Sequence, residues 1–207
     1  MFVLTIDQES SRTAGDRVDD FLELLSDAVA AHADVLVRPF ERTVGDEVQG
    51  VTSSADLAVE LALVALRTGD WQVRIGAGRV DEPVPASTRA ATGEAFVHAR
   101  EAVERARSRS RLVPLAVSGA DPAAARDAES VLRLIGAVAE RRTSAGWAAI
   151  DALRARSERP RQEDIAARLG ITQQAVSQRL KTALWAEELA ARPLAAALLI
   201  RAEGAGS

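Results

Sequence analysis

Along the first 120 residues, short apolar runs alternate with stretches whose apolar side chains recur every three or four positions. "FVLTI" (2–6) reads as a strand. After the polar "DQESSRTAG", the segment "DRVDDFLELLSDAVAAHA" repeats Val18, Phe21, Leu22, Leu25 and Val29 at helical spacing. "VLVRPFERTV" and "EVQGV" then flank Gly45-Asp46, and a glycine at the first central position suits a type II′ hairpin. Pro39 predicts an edge strand or a bulge there, because it cannot donate to a ladder. Ser53 or Ser54 caps a helix running to about Arg67, with Leu57, Leu61 and Val64 on one face. "WQVRIGAGRV" is the next strand, and its Gly76 and Gly78 permit close backbone approach. Residues 82–92 read as loop, 93–107 as helix, and "RLVPLAVSG" as a strand ending at Gly119. The order β, α, β, β, α, β, α, β predicts an α+β fold with helices packed on a sheet.

From Pro122 onward the pattern is helical throughout. Val131, Leu134, Ile135 and Val138 form one stripe, and Trp147, Ile150 and Leu153 another. The boundary between two units falls near residues 119–141, so 1–120 form the α+β unit and 121–207 an all-α unit. Within the latter, "RQEDIAARLGITQQAVSQRLKTALW" (161–185) has the layout of a helix-turn-helix. Ile165 and Leu169 face inward on a first helix, Gly170 allows a left-handed turn, Ile171 plugs the corner and Thr172 caps the second helix. Val176, Leu180 and Leu184 at i, i+4, i+8 bury one face of that second helix. Gln173, Gln174, Ser177, Gln178 and Lys181 are left on the other. The tail "WAEELAARPLAAALLIRAEGAGS" predicts a further helix, broken at Pro193.

Charge sharpens this picture. Residues 141–185 hold nine basic and four acidic groups in a chain whose net charge is −4, so positive charge is concentrated on the helix-turn-helix. Short amides near the start of a recognition helix can meet base edges, while Arg168, Arg179 and Lys181 can neutralise phosphate. Double-stranded DNA is the expected partner, with Arg168, Thr172, Gln173, Gln174, Ser177, Gln178, Arg179 and Lys181 as its contacts. The plain alternative is a helical hairpin with an amide-rich face. Cysteine is absent, which excludes disulfides, thiolate metal sites and a cysteine nucleophile. No basic leader opens the chain and no apolar run approaches a membrane span, so a soluble cytoplasmic protein without a membrane partner is expected.

Four ordered segments, "TIDQESSR", "TVGDEVQG", "VRIGAGRV" and "GEAFVHAREAVERAR", resemble the SatD family of small bacterial proteins, which pair such segments with a C-terminal helix-turn-helix. More distantly they resemble class III nucleotide cyclases and diguanylate cyclases. The resemblance implies a nucleotide-cyclase-like (ferredoxin-like) sandwich followed by the helix-turn-helix domain. It also implies that Asp7, ending the first strand, and Asp46, at the hairpin tip, hold Mg²⁺ or Mn²⁺ on a nucleotide, with Glu47 as a third acid. Hard cations of this kind take carboxylate oxygens. The loop residues Ser10, Ser11 and Arg12 would then meet phosphate oxygens.

The chain departs from the cyclase pattern. Where cyclases carry an asparagine and, four residues later, an arginine, "VHAREA" places His98 and Ala102, and Arg100 lies two positions early. A base-recognising lysine is also not evident. These departures argue against cyclisation, and no catalytic residue is assigned. Asp46 and Glu47 equally suit a tight turn, Asp7 a strand-end cap and His98 a packed helix position. The expected function is therefore a DNA-binding transcriptional regulator, acting as a homodimer, with a non-cyclising sensor domain. The alternatives are a metal-dependent nucleotide-processing enzyme and a dimerising interaction protein.

Overall fold

The computed structural model describes residues 1–9, 15–107, 113–155 and 161–204. Among them, five strands form one mixed sheet and eight helices surround it. The strands are β1 (Phe2–Gln8), β2 (Leu36–Arg42), β3 (Glu47–Thr52), β4 (Trp71–Ala77) and β5 (Leu115–Gly119). Helices α1 (Val18–Val29), α2 (Ala55–Thr68) and α3 (Glu94–Arg107) interleave with them. Then follow α4 (Pro122–Glu140), α5 (Ser144–Arg154), α6 (Gln162–Leu169), α7 (Gln173–Thr182) and α8 (Trp185–Ala202). The α+β class and the element order read from periodicity are those observed.

The sheet order is β2-β3-β1-β4-β5, antiparallel except for the β4–β5 pair. Strand alternation explains the layering. Phe2, Leu4 and Ile6 of β1 point to one face and join a large core with α1, α2, α4 and α8. Val3 points to the other, where it meets Val51, Ala95 and Ala99 under α3. β2 is an edge strand whose register shifts between Arg38 and Glu41, around Pro39. Gly76 lets α3 lie directly on β4, since a Cβ there would sit 2.0 Å from the Ala95 carbonyl oxygen. Local chemistry sets the helix starts. Ser54 accepts from the Leu57 N–H at 3.2 Å, and Asp121 accepts from the N–H groups of Ala123 and Ala124 at 2.9 and 3.1 Å with Pro122 at the first helical position.

The core continues through residues 120–121. Ala124, Ala128, Leu132 and Ile135 of α4, and Ala195, Leu198, Leu199 and Ala202 of α8, belong to the same apolar cluster as the sheet. Among the described residues, α5, α6 and α7 build further clusters, around Ile165 and Val176 and, together with Trp185 of α8, around Ile150. Of the stripe read in α4, Ile135 is buried and Val131 packs against the core, but Leu134 is 68% exposed, and the buried face runs on through Leu132 and the alanines Ala124, Ala125, Ala128 and Ala139. Pro193 does not break the last helix, which is continuous from 185 to 202. Its missing N–H would have bonded the Leu189 carbonyl, and Leu189 lies on the exposed side where water can serve. Leu184 likewise leaves the predicted buried stripe. It takes a left-handed conformation (φ 51°) between α7 and α8 and stands exposed. Among the described residues no helix is long and apolar enough to cross a membrane.

Candidate nucleic-acid interface and sheet-face carboxylates

The three-helix unit takes its shape from a short list of local choices. Asp164 Oδ2 accepts from the Arg161 N–H at 3.2 Å, satisfying a group at the entrance to α6. Gly170 ends α6 at φ 64°, the left-handed backbone that glycine adopts without a Cβ penalty. Thr172 then caps α7, its Oγ1 accepting from the Ala175 N–H at 3.1 Å. Ile165, Ala166 and Val176 are buried together with Ala152 of α5, and Leu169, Ile171 and Leu180 pack against them. With Val176 inward, the opposite face of α7 is fixed. Gln174, Ser177, Gln178 and Lys181 are exposed on it, and Gln173, at the first turn of α7, is exposed as well, as are Arg168 and Thr172 beside it. Arg179 is half-buried. Gln178 Nε2 donates to Thr182 Oγ1 at 3.3 Å.

At the hairpin the turn is as expected. The Glu47 N–H donates to the Val44 carbonyl at 3.1 Å across Gly45-Asp46, with Gly45 at φ 61°. The register, however, pairs Asp7 with Glu47 and not with Asp46. Directly opposed residues of an antiparallel pair share a face, so Asp7 and Glu47 lie on the α3 side, next to the Thr5 and Gln49 pair. Asp46 is one step further on, opposite Gln8, whose N–H donates to the Asp46 carbonyl at 3.2 Å. Its charge acts on Arg42, which is bonded at 2.8 Å to both Asp16 carboxylate oxygens by the start of α1. That bond to Arg42, then the Val18 N–H, holds the Asp16 carboxyl below its ordinary range.

A cleft of about 510 Å³ opens on this α3 face. Thr5, Glu47 and Gln49 line it from the strands, Arg89 from the turn at 88–90, and Phe96 and Arg100 from α3. Arg100 thus reaches the cleft that Glu47 borders. Ala102 is buried, and His98 turns to Glu101 at 3.1 Å. The sequence pattern assigned no role to Arg89 or Arg100 here; a helical projection of α3, with Ala95 and Ala99 on the sheet, is the signal that finds Arg100. The 82–92 segment is anchored by Glu41, whose carboxylate accepts from Ser87 Oγ and Thr88 Oγ1 at 2.7 Å each. Those hydroxyls and the Thr88 N–H hold Glu41 below its ordinary value, the Ser87 bond foremost.

As oxygen donors, Asp7 and Glu47 fit a hard divalent cation, with Glu47 further positioned by a bond from Thr43 Oγ1. Among the described residues no group of three or more metal-ligating side chains converges. Ser10, Ser11 and Arg12 lie outside the described residues. Gln8 donates to the Gly15 carbonyl at 2.6 Å and accepts from the Arg17 N–H at 3.0 Å. No protein-family model, curated protein or solved structure matches the chain.

Proposed function

We propose that the chain is a bacterial DNA-binding regulator, in which a cyclase-like sandwich carries a helix-turn-helix unit. The observation that carries this reading is the face of α7. Four polar side chains, Gln174, Ser177, Gln178 and Lys181, stand exposed on α7 turned away from Val176, with Gln173 exposed at its first turn, in the part of the chain with excess positive charge. An ordinary packed helix has no need of two glutamines and a serine in one exposed row beside a lysine. The cyclase-like part of the reading is supported by the first four strands. Their order β2-β3-β1-β4, with α1 and α2 on one face, is that of a ferredoxin-like βαββαβ unit.

In this reading Gln173, Gln174, Ser177 and Gln178 read base edges, while Arg168, Arg179 and Lys181 sit on phosphate and Thr172 fixes the start of the reading helix. Two copies would address a two-fold site. Binding of the purified chain to a genomic fragment library, followed as salt is raised, is the test. Lys181→Ala weakens binding to all sequences and reduces the log–log salt slope by about 0.9. Gln174→Ala changes preference at one base pair, by about 1–3 kcal/mol of discrimination. Absence of DNA affinity even at low ionic strength would overturn the reading and leave the unit as a dimerising or interaction module.

A second reading is favoured by the opposed Asp7 and Glu47 beside the cleft that Arg89 and Arg100 border. There Mg²⁺ or Mn²⁺ on Asp7 and Glu47 would bring a nucleotide's phosphates against the two arginines. The cation would neutralise phosphate charge. Thermal stabilisation by a nucleoside triphosphate with Mn²⁺, lost in Glu47→Gln and retained in Asp46→Asn, is the expected result. Equal loss in both variants would return the ligand role to Asp46.

A further inference from the structure

The seam joining α2 to α5 and α8 holds chemistry that neither reading uses. A cleft of about 410 Å³ lies there, within the range of small-molecule sites. Leu63 and Val64 of α2 give it an apolar wall, and the indoles of Trp147 and Trp185 flank it. Three guanidinium groups reach it, from Arg67, Arg154 and Arg192. Trp185 is only 7% exposed, yet its indole N–H has no hydrogen-bond partner among the described residues. A buried N–H ordinarily finds an acceptor, so this wall lacks one polar partner.

Charge points the same way. Among the described residues, four arginines stand around the cleft, Arg67, Arg142, Arg154 and Arg192, against three carboxylates, Glu60, Asp151 and Glu188. One cation is in excess. Two of the pairs are also easily exchanged. Arg67 meets Asp151 through two bonds of 2.6 and 2.7 Å, and Arg154 meets Glu60, but both guanidinium side chains are more than a third exposed. Exposed pairs of this kind contribute little. The Arg67 guanidinium also lies 4.0 Å above the Trp147 ring, a stacked arrangement beside which a flat aromatic body fits.

We infer that this seam is a binding site for a small aromatic anion, a planar ring bearing a carboxylate or a phosphate. The ring packs beside the Arg67–Trp147 stack, against the apolar wall. The anionic oxygens take the fork of Arg67 in place of Asp151, and an acceptor on the ligand serves the Trp185 N–H. Because Asp151 belongs to α5, a ligand that displaces it loosens the tie between α2 and the three-helix unit. The site stands independently of DNA binding, since its test holds no DNA.

The test is calorimetric titration of the full chain with indole-3-acetate and with adenosine 5′-monophosphate. Neutral indole and inorganic phosphate are the controls. At least one aromatic anion should bind saturably and at least about tenfold more tightly than either control, consistent with a charge-assisted bond. Which of the two binds separates a carboxylate from a phosphate ligand. Arg67→Ala should weaken binding about tenfold or more, whereas Asp151→Asn should strengthen it by removing the competitor. No saturable binding of either anion up to millimolar concentration, or neutral indole binding as tightly as the anions, would overturn the proposal. So would an Asp151→Asn chain of native circular dichroism that binds no better than the parent.

Discussion

Replacing Glu188 by glutamine removes one charge from a deeply buried ionic group. The Arg142 side chain is 1% exposed and that of Glu188 4%, with Arg142 Nη1 and Glu188 Oε2 2.6 Å apart. Arg192 bonds the other carboxylate oxygen, its Nε at 3.0 Å, and Arg142 Nε donates to the Ala183 carbonyl at 2.7 Å. Glutamine keeps the shape and one acceptor. It leaves two guanidinium groups facing each other with no anion between them. Removing one partner of a buried pair costs about 3–5 kcal/mol. Arg192 is 20% exposed and can turn partly to water, which places the expected cost at the low end, about 3 kcal/mol. For a chain of this length that is a fall in Tm of roughly 6–12 °C. Urea denaturation followed by far-ultraviolet circular dichroism measures it. The paired change Arg142→Met with Glu188→Met should cost less than the sum of its single changes, because whole buried pairs are replaceable by apolar side chains. A Glu188→Gln chain within about 1 kcal/mol of the parent would refute the reasoning, since no buried charge could then be left uncompensated.

Gly76→Ala should destabilise by about 2–3 kcal/mol or more in the same assay, because the new Cβ would lie 2.0 Å from the Ala95 carbonyl oxygen and α3 must move to admit it. Gly170→Ala meets nothing within 4 Å, so only the backbone term at φ 64° remains, about 1 kcal/mol. Reversal of that ranking would mean that α3 does not lie on β4 as described. The Glu41 carboxyl is held below its ordinary value of about 4.5, first by Ser87, so its contribution is fully present above that value. It is lost as pH falls through the lower folded-state value. Amide exchange at 87–90 should therefore accelerate on acidification into that window in the parent chain, and be fast and nearly independent of pH there, after correction for intrinsic rates, in Glu41→Gln.

The elements were legible because each carries its own local signal. Ser54, Thr172, Gly170 and the period of Val18, Phe21 and Leu25 act within one or two helical turns, and each is found where the pattern puts it. What the sequence misread depends on distant partners. In α4 the bulkiest residues looked like the core face, but a neighbouring helix at close range selects alanine, so Ala124 and Ala128 are inside and Leu134 is outside. At Leu184 the period of α7 ran past a turn whose left-handed residue is not glycine and so gave no warning. Asp46 drew attention as the tip of a Gly-Asp turn, while the cross-strand partner of Asp7 follows from register, and a one-residue offset changes the face. The seam was least visible of all. Trp147, Glu188 and Arg67 come from three helices and Arg142 from the connection between α4 and α5, and no spacing along the chain brings them together.

That seam also sets how the exposed face of α7 can be moved. At its end α7 passes through two residues, Ala183 and the left-handed Leu184, into α8, and α8 is anchored by Leu198, Leu199 and Ala202 in the core beneath the sheet. On that side the Arg142–Glu188 pair adds a buried electrostatic tie, Arg142 also bonding Ala183 at the junction. On the other side α5 touches α2 through Arg67–Asp151 and Arg154–Glu60, both open to solvent. Breaking the first tie costs several kcal/mol, whereas exposed pairs are worth about 0–1 kcal/mol each. A ligand of ordinary affinity can therefore release α5 from α2 but cannot release α8 from the sheet. In the proposed DNA-binding reading, the α2–α5 contacts are where an effector would act, the glutamine face turning about Leu184.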